Sequence, residues 1–198
     1  MRHLSWALAG LLLSPLAAAQ PAQPASPATQ ADTFNQLFGT TCMTHLNSVD
    51  GLTAWMAARN LAPLDDTVAQ SFLHGTPGRA WAITLDGDQY AVSRTDAGLC
   101  AVYARRMDGE QLQSRFAALV SKAPAPMTAR QTPSPASSTA TRRSVSYLWS
   151  WPDEATSGLL FTLTTSSDPD APLQAMMSLA RTRLDDDVAA KAAPPSAR

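Results

Sequence analysis

The chain reads as a single α+β domain: an antiparallel sheet of five to six strands in two meanders, with helices packed on one face and one disulfide. Three observations predict it. Apolar residues recur at helical spacing from Asp32 to His74, alternate from Ala80, return to helical spacing after Asp108 and alternate again from Arg143. The links between the first three alternating stretches are too short for a crossover, so those strands pair antiparallel. Two cysteines, Cys42 and Cys100, fall on the inward faces of a helix and a strand.

The elements follow in order. Asp32 caps a helix whose inner stripe holds Phe34, Leu37, Phe38, Thr41, Cys42, His45 and Leu46. A second helix covers Leu52 to Asn60, and Pro63 breaks the chain after it. A third runs from Thr67 to His74 and stops at Gly75. Ala80–Leu85, Gln89–Arg94 and Leu99–Arg106 form the first meander, with turns at Asp86-Gly87-Asp88 and Thr95–Gly98. Asp108 and Gln111 make a capping-box pattern before a helix with Leu112, Phe116, Leu119 and Val120 inward. The segment 123–141 is rich in Pro, Ser, Thr and Ala and reads as a mobile loop. Arg143–Trp151 and Gly158–Thr165 are strands. Leu173–Leu184 fits either a helix or an edge strand. The strand reading is preferred, because a Trp-rich face beside two strands alone would stay open.

Residues 1–19 predict export. Arg2 and His3 precede an apolar run from Leu4 to Leu16, and Ala17-Ala18-Ala19 supplies a cleavage pattern before Gln20. The run is too short to span a bilayer as a stop-transfer helix. Residues 20–31 and 188–198 hold too little apolar surface to offset chain entropy and read as disordered, which leaves 32–187 as the domain. The chain has 15 basic and 16 acidic residues; losing Arg2 with the leader gives 14 against 16, a net of −2. No basic run is present, so nucleic acid is not an expected partner. The expected location is the periplasm or the exterior, with an unknown protein or envelope component as partner.

An oxidising compartment decides the reading of the cysteines. An even count on inward faces predicts a Cys42–Cys100 disulfide, contributing ~4 kcal/mol in the chain-entropy model. The competing reading, a nucleophilic Cys42 beside His45, has less support. No metal spacing joins His45 or His74 to other ligands, and Asp185-Asp186-Asp187 lacks the turn glycine of a calcium loop. No cofactor loop and no serine-nucleophile signature is present. Trp55, Trp81, Trp149 and Trp151 sit on apolar stripes and read as core. Tyr147, Trp149 and Trp151, near Pro152 at a strand end, are the candidate binding surface.

The pattern Phe34…Cys42, Gly78-Arg79-Ala80-Trp81, Tyr90 and Gly98-Leu99-Cys100-Ala101-Val102 resembles small exported proteobacterial proteins of unknown function. The resemblance implies export and a disulfide, and no catalytic residue. The expected function is a non-catalytic binding, accessory or inhibitor role. Two alternatives stand beside it: a hydrolase with a non-standard triad at His45 or His74, and a carrier whose apolar cavity is lined by Trp81, Trp149, Phe161 and Met177.

Overall fold

The first helix starts earlier than Asp32, because Ser26 caps it. In the computed structural model, which describes residues 26–133, 140–153 and 157–183, α1 spans Pro27–Phe38 and the Thr29 amide donates to Ser26 Oγ. Pro27 lies in the first turn, where a missing N–H is no loss. Pro27–Ala31 is therefore helical, correcting the expectation of disorder there, and Ala31 is fully buried. The cleavage expected after Ala19 and the tail 188–198 lie outside the described residues.

The helix continues into a π-helical segment, Gly39–Met43, where the Thr44 amide reaches back to the Gly39 carbonyl at 3.0 Å. This wider turn carries Cys42. α2 spans Val49–Ala57, capped by Ser48, and α3 spans Asp66–Leu73. β1 (Gly78–Leu85), β2 (Asp88–Thr95) and β3 (Cys100–Ala104) form the first meander. Asp86 and Gly87 join β1 to β2 with φ of 52° and 85°, the left-handed pair that a two-residue hairpin turn requires. α4 spans Gly109–Val120, and Asp108 accepts hydrogen bonds from the amides of Glu110 and Gln111. β4 (Thr128–Thr132), β5 (Arg142–Ser150), β6 (Ser157–Ser166) and β7 (Ala175–Arg183) complete the sheet.

All seven strands form one antiparallel sheet in the order β1-β2-β3-β7-β6-β5-β4. Besides the earlier start of α1 and the position of α2, three features of the sheet and its packing differ from the sequence reading. β4 is an extra strand inside the segment expected to be a loop, 123–141. Its Thr-Ala-Arg-Gln-Thr shows no apolar alternation, because it joins the edge of the sheet through its backbone alongside β5. β7 is a strand, but a central one between β3 and β6. It carries apolar residues on both faces: Met177 and Leu179 in the main core, Met176 on the other side. Finally, the helices do not share one face. α1, the π segment and α4 cover the face of Trp81, Val92, Val102, Met177, Phe161 and Trp149, whereas α3 packs Ala69 and Leu73 against Ala80 on the opposite face.

Candidate functional site

The Cys42–Cys100 disulfide is formed, with a Cα–Cα distance of 5.4 Å, and both residues are completely buried. It ties the end of the first helix to the first residue of β3. Arg94 lies opposite Cys100 in the β2–β3 register and is 4% exposed. Its Nη2 donates to the Leu46 carbonyl just beyond the π segment, where a cation complements the exposed carbonyls of a helix end. Burial pulls the Arg94 pKa below its usual value.

The tryptophan positions belong to the core more than to the surface. Trp149 is 5% exposed and packs 4.5 Å from Phe161 with the two rings tilted by 50°. Its Nε1 donates to the Val120 carbonyl at 2.7 Å, satisfying an orphan acceptor at the end of α4. Tyr147 is half-buried, edge-on to Phe116, and Trp151 is half-buried against the same cluster. Of the three residues of the candidate surface, Tyr147 and Trp151 retain partial exposure. Trp81, Trp149, Phe161 and Met177, assigned to the wall of a carrier cavity, are packed into the core and line none of the depressions described below.

His45 is half-buried, and its Nε2 has no partner among the described residues. His74 is exposed and ends α3 in a left-handed conformation at φ 51°. It shares a depression with Ser71, yet no hydrogen bond joins the two. Among the described residues there is no group of three His, Cys, Asp or Glu placed to hold a metal. No helix there is long and apolar enough to cross a membrane.

Tyr90 carries the largest electrostatic perturbation. Burial, then Asp88 and Asp86, push its phenol up to about 12 from 10.0. The hydroxyl has no hydrogen-bond partner among the described residues. The folded state therefore favours the protonated phenol. That stabilisation is fully present below the unfolded value of 10.0 and is lost as pH rises through about 12. Tyr90→Phe is expected to change stability at pH 7 by less than about 1 kcal/mol, since no hydrogen bond is broken. It should flatten the fall in stability above pH 10 in denaturant titrations, and an unchanged slope would contradict this reading.

Three depressions border the connection between β6 and β7. One, of 540 Å³, lies beside the start of α4 and includes Glu110, Gln113 and Arg143. A second, of 460 Å³, lies between the end of α3 and the start of β7. The third, of 280 Å³, lies over β1 and β2. Tyr103, Pro172 and Leu173 separate the second from the third. The connection itself is tied down. Gln174 Oε1 accepts from the Met107 amide at 3.1 Å, and Arg106 Nη1 donates to the Ala171 carbonyl at 3.0 Å. The Ser167 amide donates to the Thr141 carbonyl at 2.8 Å. Apart from His74, no residue of this surface stands out in the sequence, because it forms only once β7 is seated between β3 and β6. No family model, curated protein or solved structure matches the chain.

Proposed function

We propose that the chain is an exported, disulfide-bonded protein that acts by binding another macromolecule, in an accessory or inhibitory role at the cell envelope. The observation that carries this reading is the cluster of depressions around the pinned β6–β7 connection. Adjoining hollows with mixed lining suit an extended contact, whereas a small ligand is usually enclosed by one deep cavity. A buried disulfide fits an oxidising compartment. The test is a photo-crosslinking amino acid at half-exposed Leu173, in cells that export the protein themselves. A discrete adduct is expected from Leu173 and none from exposed Ser121, beyond the far end of α4. Equal labelling at both sites, or none at either, would contradict the proposal. A hydrolase is the second reading, favoured only by Ser71 and His74 sharing one depression. Covalent labelling of Ser71 by a fluorophosphonate would support it.

A further inference from the structure

β1 is an edge strand, and only part of its free edge is covered. The Leu64 amide donates to the Ala80 carbonyl at 2.8 Å, so the link between α2 and α3 closes the edge there. In an antiparallel strand, outward-pointing backbone groups recur at every second residue. Ala80 points outward, so the N–H and C=O of Ala82 and Thr84 do as well. Both residues are exposed, and no hydrogen bond from the described residues meets those groups. The usual guards of an edge are missing on this stretch. It has no proline and no lysine, and its register with β2 runs unbroken from Gly78↔Thr95 to Leu85↔Asp88. Leu85 is 36% exposed.

The 280 Å³ depression lies beside this edge. Its floor is the cross-strand pair Ala82 and Ala91, whose short side chains leave the hollow. Phe72, Tyr103 and Leu173 wall it, with Phe72 and Tyr103 edge-to-face at 5.1 Å. No carboxylate lines it. Arg105, at its far wall, donates to Gln89 Oε1 at 3.0 Å. Asp86 follows directly after Leu85, with Asp88 beyond it, so carboxylates mark the end of the free edge.

We propose that the Ala82–Leu85 edge of β1 is a strand-addition site for an extended segment of a partner protein, bearing an aromatic side chain opposite Ala82 and a basic side chain at the end that reaches the Asp86–Asp88 turn. The inference rests on the binding reading above and names its site. Main-chain hydrogen bonds to Ala82 and Thr84 supply affinity, and the hollow over the two alanines supplies selectivity. Antiparallel pairing places the residue opposite Thr84 two positions before the aromatic one, and a basic residue two positions earlier still lies where the strand ends and the turn of Asp86 and Gly87 begins.

The probe is the peptide acetyl-Lys-Val-Thr-Val-Phe-Thr-amide, titrated into the ¹⁵N-labelled chain. Binding is expected to shift the Ala82 and Thr84 amides and slow their hydrogen exchange. Methylating the peptide nitrogens of Phe and the first Thr should abolish binding. Replacing Lys by Glu should weaken it about threefold or more. Thr84→Pro removes an outward N–H and leaves the β1–β2 ladder intact, and Ala82→Trp fills the hollow from an exposed position. Each should weaken binding about tenfold or more without lowering the melting temperature. Unshifted Ala82 and Thr84 amides at millimolar peptide would overturn the proposal, as would undiminished binding of the methylated peptide. Either failure removes the edge site alone; the Leu173 crosslink decides the binding reading separately.

Discussion

Replacing Cys42 and Cys100 together by alanine is expected to lower the melting temperature by roughly 8–16 °C. The bond spans a sequence separation of 58 residues, and releasing a loop of that size costs ~4 kcal/mol in the chain-entropy model. In a domain of this size each kcal/mol moves the midpoint by roughly 2–4 °C. Position reinforces the entropic argument. Cys100 begins β3 at the middle of the sheet, flanked by Arg94 on β2 and Leu179 on β7. Cys42 sits on the π segment at the end of the first helix. Without the bond, that helix end rests on the sheet by packing and by the hydrogen bonds of Arg94 to the Leu46 carbonyl and of Arg181 to Asn47 Oδ1. Calorimetry of both proteins under non-reducing conditions measures the difference. A shift within about 2 °C would contradict the assigned role.

Trp149→Ala is expected to cost about 3–5 kcal/mol, the usual range for truncating a buried aromatic. Two losses add. The indole leaves a cavity against Phe161, and the Val120 carbonyl loses its donor at the end of α4. Trp149→Phe separates them, because it keeps most of the apolar volume and removes only the Nε1–H. Its expected cost is about 1–3 kcal/mol, the penalty for an unpartnered buried acceptor. Chemical denaturation of both variants checks the order. A Phe variant as unstable as the Ala variant would show that the hydrogen bond, not the packing, dominates. Near wild-type stability for both would contradict the placement of Trp149.

Some of this architecture is legible in the amino-acid sequence alone. Trp81-x-Ile83 and Leu159-x-Phe161-x-Leu163 face the core because strand side chains alternate, and that period is local. Asp108 announces α4 for the same reason: its cap reaches amides only a few residues away. What depends on distant partners is hidden. β7 is central only because β3 accepts it, and nothing in Ala175–Arg183 records that pairing. β4 contributes backbone hydrogen bonds and almost no buried side chain, so its sequence resembles a linker. α3 has an apolar stripe like the other helices, but the stripe does not say which face of the sheet it will meet. The π segment adds a residue to a turn without disturbing the apolar spacing that placed Cys42 inward.

The candidate site was hidden for a related reason. Aromatic residues draw attention in a sequence, and Tyr147, Trp149 and Trp151 do so here, yet Trp149 is committed to holding α4. Ala82 and Ala91 look like filler. They matter because β1 and β2 set them side by side, Ala91 buried beside Phe72 of α3 and Ala82 left exposed toward the edge. The free groups of Ala82 and Thr84 become visible only when Leu64 is seen to occupy Ala80.

The central claim, an exported chain closed by one disulfide, is tested most directly by intact mass of the protein recovered unreduced from cells that export it. The predicted species begins at Gln20 and is two hydrogens lighter than the same chain fully reduced, with neither cysteine open to alkylation. A recovered chain that retains Arg2, or one that alkylates at Cys42 and Cys100 without prior reduction, would contradict the account.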